Sequence, residues 1–100
     1  MCGIFAYIGG DNRAVRKAIQ GLKDLEYRGY DSWGVAVKTP RGIESRKGVG
    51  KVSDIDERDF NDISGTISLG HTRWATHGKV CIENSHPHFN TDKTIAVVHN

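Results

Sequence analysis

The sequence predicts a single α+β domain in which helices are layered on a largely antiparallel sheet. Three observations predict this class: strand-like segments outnumber helical ones, one long amphipathic helix lies among them, and no linker or repeat divides the chain. One hundred residues are enough for one domain with a modest core. The 37% hydrophobic and 26% charged residues are typical of an ordinary globular protein and not of a disordered tail.

The first strand is predicted at Gly3–Ile8, an apolar run that ends at two glycines and that we expect to be buried. A helix should follow it, because Asp11 or Asn12 can cap a helix N-terminus. The apolar residues of this helix share one face through the spacing i, i+3, i+4, i+7 and i+10, and they are Val15, Ala18, Ile19, Leu22 and Leu25.

The rest of the chain alternates between strand and turn signals. A hairpin is predicted from the strands Trp33–Lys38 and Ile43–Arg46, with a turn at Thr39–Gly42 between them. Ser53–Asp56 has the form of a capping box with Asp in place of Glu, which predicts a short helix after it. Two more strands are expected, at Thr66–Leu69 and Thr94–Val98. Because the chain stops right after the last strand, we expect a fragment.

Charge and apolar patterning exclude several classes of protein. The net charge of +2 argues against nucleic acid as a partner, and we interpret the glycine-interrupted run from Arg41 to Lys51 as a solvated hairpin face. The chain has neither a signal peptide nor an apolar run of about 20 residues, so we expect no membrane partner. Cys2 and Cys81 are accordingly expected to be reduced thiols in the cytoplasm.

Cys2 is the most informative residue of the sequence. Removal of Met1 would leave it with a thiol and a free α-amino group, whose pKa of about 7.7–8.0 lets it accept a proton at working pH. The residue would then hold its own nucleophile and general base, as N-terminal Thr nucleophiles do. The alternative is that Cys2 is only a small residue that permits removal of Met1, so the rest of the chain must decide.

Three polar clusters accompany Cys2, at residues 27–32, 71–78 and 84–88. In the second cluster, Arg73 offers two parallel N–H donors for a carboxylate, and Thr76 and His77 can complete the same anion pocket. Such polar groups at strand ends are where sites tend to be built.

A zinc site is the alternative use of the histidines. Cys81, His86 and His88 could bind the metal, with His71 or His77 as a fourth ligand. The spacing C-x4-H-x-H matches no standard structural site, so we expect no metal. Each histidine is then interpreted as a hydrogen-bonded residue, and Cys81 as a small buried one.

Five segments together resemble a known family. They are Cys2-Gly3-Ile4, Leu25-Glu26-Tyr27-Arg28-Gly29-Tyr30-Asp31-Ser32, His71-Thr72-Arg73-Trp74-Ala75-Thr76-His77-Gly78, His86-Pro87-His88 and Val98-His99-Asn100. In order and spacing they closely resemble the N-terminal glutaminase domain of the glucosamine-6-phosphate synthase family, a branch of the N-terminal-nucleophile (Ntn) glutamine amidotransferases. Cys-Gly-Ile with an arginine-glycine loop would indicate only the broader class, whereas the motifs Glu-Tyr-Arg-Gly-Tyr-Asp-Ser and Arg-Trp-Ala-Thr-His-Gly are typical of the glucosamine branch. The resemblance covers essentially the whole chain.

This resemblance implies the four-layer αββα sandwich of the Ntn hydrolases, with residues 1–100 as the N-terminal portion of a type-2 glutamine amidotransferase domain. It implies hydrolysis of L-glutamine to glutamate and ammonia without a cofactor, and transfer of the ammonia to fructose 6-phosphate on sugar-isomerase domains that these residues lack. A homo-oligomeric parent is compatible with it. The alternatives are a class II amidotransferase with another acceptor, or a non-catalytic fragment that needs a partner chain. We expect the 100 residues alone to turn over glutamine poorly.

The resemblance also implies a role for each matching residue. Cys2, after loss of Met1, would attack the glutamine amide, and Asn100 would donate to the resulting oxyanion. Arg28 and Gly29 would orient the N-terminal amine. The residues implied around the substrate are Arg73, Thr76 and His77 at its α-carboxylate, Trp74 as a gate for ammonia, and His86 close to the site. Trp33, Val80 and Ser85 depart from the family pattern, so we expect local packing differences near them.

Overall fold

The computed structural model describes all residues from Met1 to Asn100. It contains one α-helix, α1 (Ala14–Asp24), and six strands in two antiparallel sheets. The strands are β1 (Gly3–Ile8), β2 (Ser32–Thr39), β3 (Gly42–Val49), β4 (Ile67–Arg73), β5 (His88–Phe89) and β6 (Ala96–Val97). Short 3₁₀ helices lie at Glu26–Arg28, Val52–Asp54, Glu57–Phe60 and Ile82–Asn84. The predicted α+β class is confirmed, and none of the helices has the length and apolar character that crossing a membrane requires.

The larger sheet has the strand order β1-β4-β2-β3, so β1 is an edge strand. β1 pairs with β4 through six residue pairs, the first of which is Gly3 with Thr72. β2 and β3 form the predicted hairpin, and its turn needs Gly42 because φ is +113° there. β2 also pairs with β4, with Ser32 opposite Arg73. The end of β4 therefore lies beside the starts of both β1 and β2, and the candidate site forms at this corner.

One face of the larger sheet is covered by α1. Ile19 and Leu22 of the helix are fully buried together with Val35 and Val37 of β2, and each such side chain contributes about 1.5–3 kcal/mol to folding. The rest of this core consists of Val15, Ala18, Val52, Phe60 and Ile63. The predicted helical face is confirmed except for Leu25, which lies beyond the end of α1 and is half-buried.

The opposite face of the sheet is largely open. In β1, Ile4 and Ile8 are 53% and 80% exposed, and Ile67 of β4 is 43% exposed. The prediction that β1 is buried is therefore wrong for every second residue, because side chains alternate along a strand and only one face meets α1. The small sheet reaches the open face through Ala96, which lines a groove of about 270 Å³ with residues of β2, β3 and β4.

Both predicted helix caps are wrong. α1 begins after Arg13 without a side-chain cap, because the Asp11 carboxylate bonds the Arg13 guanidinium instead, 2.8 Å from its Nε. Ser53 does not cap a helix either, since its N–H and its hydroxyl both donate to the Glu26 carboxylate at 3.1 Å. The following helix is a 3₁₀ helix, and its cap is Asp56.

Four strands differ in length from the prediction, although β2 is only one residue longer at each end. β3 continues to Val49 and β4 to Arg73, because their pairing with β2 extends through polar residues that give no apolar alternation. The last strand shrinks to Ala96–Val97 because the Asn90 side chain accepts the N–H groups of Thr94 and Ile95, at 2.8 and 2.9 Å, and thereby holds a turn there.

Candidate active site

Cys2 lies just before β1, and its thiol contacts the backbone of Trp74. The Trp74 N–H donates to Sγ at 3.3 Å, and Sγ lies 3.7 Å from the Trp74 carbonyl oxygen. The next residue is fixed as well, because the Gly3 N–H donates to the buried hydroxyl of Thr72 at 3.1 Å. Cys2 is partly exposed and Met1 is 72% exposed, so both the thiol and the Met1–Cys2 peptide bond are accessible.

Arg28 and Gly29 contact the residues around this thiol, as the resemblance implies. The Arg28 Nε donates to the Cys2 carbonyl oxygen at 3.0 Å. Gly29 lies against the peptide that joins Arg73 to Trp74, where a β-carbon would be 2.7 Å from the Arg73 carbonyl carbon and 2.8 Å from the Trp74 nitrogen. Since no side chain fits there, glycine is required for the close approach that places the Trp74 N–H at the thiol.

Arg73 ends β4 and is only 3% exposed. Its Nε donates to Oδ1 of Asn100 at 3.2 Å, its Nη1 to the Lys79 carbonyl at 3.1 Å, and its Nη2 to the His77 carbonyl. A guanidinium carries five N–H groups, so two remain without one of these acceptors. The group expected to bind a carboxylate thus also organises the loop at 77–79 and the Asn100 side chain.

The Asn100 amide reaches the same backbone as the thiol. Its Nδ2 donates to the Trp74 carbonyl at 3.3 Å and to the Thr76 hydroxyl at 3.2 Å, while its Oδ1 accepts from Arg73. The Cys2 thiol and the Asn100 amide therefore meet at one carbonyl oxygen, that of Trp74. These hydrogen bonds bring together five of the predicted site residues, which are Cys2, Arg73, Trp74, Thr76 and Asn100.

Three imidazoles pack against one another beside these residues, with their ring planes tilted by 31° and 57°. The ring centroids of His71 and His86 are 4.4 Å apart, and those of His86 and His88 are 4.3 Å apart. His71 is fully buried and neither of its ring nitrogens has a hydrogen-bond partner. Burial, and then the charge of His86, lowers the pKa of His71 to about 4. Burial, and then the charges of His88, Arg73 and Lys47, lowers the pKa of His86 to about 4, so both rings are neutral at pH 7.

Two predicted site residues lie here without using their side chains. The His77 imidazole is exposed and makes no hydrogen bond, whereas its carbonyl accepts from Arg73. The Trp74 indole is 45% exposed and lies 6.1 Å from the Tyr30 ring, while its main chain contacts the thiol.

No group of three or more His, Cys, Asp or Glu side chains is arranged to hold a metal ion. Cys81, expected to be buried, is partly exposed.

Sequence reasoning missed two residues that support the site. Thr72 accepts the Gly3 N–H, and Asp31 accepts the Ala75 N–H at 2.8 Å while its own N–H donates to the Arg73 carbonyl at 3.1 Å. Thr72 is fully buried, which a polar residue between a histidine and an arginine does not signal in a sequence. Asp31 belongs to one of the polar clusters, and its place just before the Ser32 that begins β2 was the available signal.

Comparison with known proteins finds relatives over the whole chain. No protein-family model matches the chain. Over its whole length the chain is 50% identical to a glutamine–fructose-6-phosphate aminotransferase (isomerizing) of Clostridium perfringens, and it spans 16% of that protein. The other curated relatives compared are matched over a similarly small share of their length, 16 or 17%.

Two solved structures share the fold. The glutamine phosphoribosylpyrophosphate amidotransferase of B. subtilis, in complex with ADP and GMP, has a TM-score of 0.71 at 24% identity, over 87% of this chain and 18% of its own. An allosteric regulatory enzyme of purine biosynthesis has a TM-score of 0.78 at 23% identity, over 96% of this chain and 21% of its own. At such identities the likeness concerns the fold. Sequence and fold together show that the chain has the fold of the glutamine amidotransferases and is similar over its whole length to the N-terminal part of the glutamine–fructose-6-phosphate aminotransferases.

Proposed function

We propose that the chain forms the glutaminase part of a glutamine–fructose-6-phosphate aminotransferase and hydrolyses glutamine to glutamate and ammonia. The main support is that the Cys2 thiol and the Asn100 amide meet at the main chain of Trp74. Acyl transfer from an amide requires a nucleophile and an oxyanion donor at one point, and this pair supplies both.

The proposed reaction begins once Met1 has been removed. The free α-amine of Cys2 takes the thiol proton, and Sγ attacks the side-chain amide carbon of glutamine. Asn100 turns one Nδ2–H from Trp74 or Thr76 to the oxyanion that forms. The protonated amine then gives its proton to the leaving nitrogen, so that ammonia departs and a thioester remains. The same amine deprotonates a water molecule, which hydrolyses the thioester to glutamate and restores the thiol.

The other site residues are proposed to hold the substrate and the N-terminus. The two remaining Arg73 N–H groups, with the residues Thr76 and His77, would bind the α-carboxylate of glutamine. Arg28 already bonds the Cys2 carbonyl, which supports its proposed role in orienting the new N-terminal amine together with Gly29. The half-exposed indole of Trp74 is proposed to gate the passage of ammonia.

The wider assignments rest on the names of the relatives. Residues 1–100 are proposed as the N-terminal portion of a type-2 glutamine amidotransferase domain. The ammonia acceptor would be fructose 6-phosphate, as the name of the C. perfringens relative states for that protein, and it would bind to residues outside this chain. A homo-oligomeric parent and a cytoplasmic location are proposed with it, the latter because both cysteines are free thiols.

A second candidate is a non-catalytic unit that becomes competent on a partner chain. The open apolar face of β1 and β4, with Ile4, Ile8 and Ile67 exposed, favours it. The two candidates differ in whether the gene product at its natural length hydrolyses glutamine by itself or only with a partner chain. Poor turnover by the isolated 100 residues is expected in either case.

Glutamate release tests the proposal directly. We would purify the gene product that carries these residues at its natural length and measure glutamate formed from glutamine. Cys2→Ala should abolish the activity, whereas Cys81→Ala, which removes the other thiol, should retain it. Intact mass after treatment with 6-diazo-5-oxo-L-norleucine should show loss of Met1 and one adduct on Cys2. Retained Met1, or activity that survives Cys2→Ala, would refute the mechanism.

A further inference from the structure

His86 is held in place by its neighbours on several sides. Its carbonyl and Pro87 lie directly on Gly34 of β2, where a β-carbon would overlap the His86 carbonyl oxygen at 1.7 Å. The carbonyl of the preceding Ser85 accepts from the Lys47 Nζ at 2.7 Å. The imidazole lies between those of His71 and His88, and the residue is only 5% exposed. Its ring is therefore a fixed point relative to the sheet.

One ring nitrogen of His86 bonds the main chain next to Asn100. The backbone N–H of His99 donates to Nδ1 of His86 at 3.2 Å. Because Nδ1 accepts, the neutral ring carries its proton on Nε2. This bond fixes the main chain at the residue directly before Asn100.

The Asn100 residue is exposed. Its side chain bonds Trp74, Thr76 and Arg73, at distances of 3.2–3.3 Å. During the proposed reaction it must release one of these bonds to serve the oxyanion. Its backbone must then be fixed by something else, because an oxyanion donor acts through its preset geometry.

We propose that His86 is a positioning residue for the reaction, and that it fixes Asn100 by accepting the His99 N–H at Nδ1. The inference rests on the proposed glutaminase function and replaces the expectation that His86 contacts the substrate. For this role the side chain at position 86 must place a hydrogen-bond acceptor at its δ position, and it must be held in place beside β2.

Two substitutions at position 86 test whether the hydrogen-bond acceptor of the side chain matters or only its size. Asn in place of His86 keeps an acceptor oxygen at the δ position, whereas Leu has a similar shape without one. We expect His86→Leu to lower kcat for glutamate release about tenfold or more and to change KM less than about threefold, because the oxyanion contact is made in the transition state. His86→Asn should stay within about fivefold of the parent kcat. Equal kcat values for the two variants would overturn the proposal.

A double substitution tests whether His86 acts through Asn100. Asn100→Ala alone should cost about 10²–10³ in kcat, as loss of one oxyanion donor does. If His86 works through Asn100, adding His86→Leu to Asn100→Ala should have little further effect. Additive losses would show an independent role and would also overturn the proposal.

Hydrogen exchange keeps the inference separable from the proposed function. In the gene product at its natural length, the His99 amide should lose protection in His86→Leu and keep it in His86→Asn, whether or not glutamine is hydrolysed. If the parent protein is inactive, the proposed glutaminase function is refuted. The exchange of the His99 amide still tests whether His86 accepts its hydrogen bond. If His86→Leu does not fold, His86→Gln, whose acceptor lies one bond further out, takes its place against His86→Asn with the same expected order.

Discussion

The backbone of Gly29 lies against that of Arg73 so closely that a β-carbon at position 29 would be 2.7 Å from the Arg73 carbonyl carbon. Gly29→Ala should therefore push the Trp74 N–H away from the Cys2 thiol. We expect a loss of about 1–3 kcal/mol of unfolding free energy, as overpacking usually causes, and at least about tenfold slower alkylation of Cys2 by 6-diazo-5-oxo-L-norleucine. Gly10→Ala is the matched control, because nothing lies within 4 Å of its β-carbon position. A Gly29→Ala variant labelled as fast as the parent contradicts the prediction.

Thr72 ties the residue after Cys2 to β4. Thr72→Val keeps the shape of the side chain but leaves the buried Gly3 N–H without its acceptor at 3.1 Å. An unpaired buried donor costs about 1–3 kcal/mol, so chemical denaturation should show a loss of that size. Thr72→Ser retains the hydroxyl and should lose clearly less. If both variants lose the same amount, the bond to Gly3 has no net value.

Arg73 holds three acceptors that a lysine cannot reach together. The planar guanidinium bonds Asn100, Lys79 and His77 at once, whereas an ammonium is a single point. Arg73→Lys should lower the unfolding free energy by at least about 2 kcal/mol, since charged hydrogen bonds contribute about 1.5–3 kcal/mol each. It should also raise KM for glutamine. The exposed Arg16 offers the control, Arg16→Lys, which is expected to match the parent in both measurements.

The buried imidazole of His71 makes stability depend on pH. Its pKa is lowered from 6.5 to about 4 by burial, so the unfolded chain binds more protons between these values. The free energy of unfolding therefore falls as the pH drops from about 6.5 toward 4. One pKa unit corresponds to about 1.4 kcal/mol, which gives roughly 3 kcal/mol as the upper bound for His71.

His71→Leu should flatten this pH dependence. It removes the titrating group and two buried nitrogens without partners, so we expect stability at pH 5 to rise relative to the parent. His77→Leu removes an exposed imidazole and should leave the slope unchanged. Urea denaturation at pH 5 and pH 7.5 gives the comparison, and equal slopes in all three proteins would show that His71 does not titrate on unfolding.

The sequence predicted those parts of the fold that depend on local patterns. The apolar spacing from Val15 to Leu22 defines one face of α1, and the turn at Thr39–Gly42 defines the hairpin. The caps of the helices could not be predicted, because Asp11 bonds Arg13 and Ser53 bonds Glu26. Glu26 is distant from Ser53 in the chain. A distant partner leaves no mark within a short window of sequence.

The candidate site shows the same division. Cys2 could be singled out by its place directly after Met1, and Arg73 by its place in a polar cluster that matches a family motif. Nothing in the residues themselves revealed that the Arg73 guanidinium bonds carbonyls at 77 and 79, since main-chain acceptors have no sequence signature. The function of Thr72 stayed hidden for the same reason, as its partner is a backbone N–H.

The pairing of β1 with β4 decides when this site comes into being. Cys2 and Trp74 are separated by 72 positions, so their contact closes a loop that includes most of the chain. We expect a contact between such distant residues to form late in folding, because the chain loses the entropy of loop closure before the contact stabilises the structure. An edge strand is also among the first elements to detach in local unfolding. A nascent or partly unfolded chain would thus carry an unorganised thiol, and nucleophile activation would report that folding is complete.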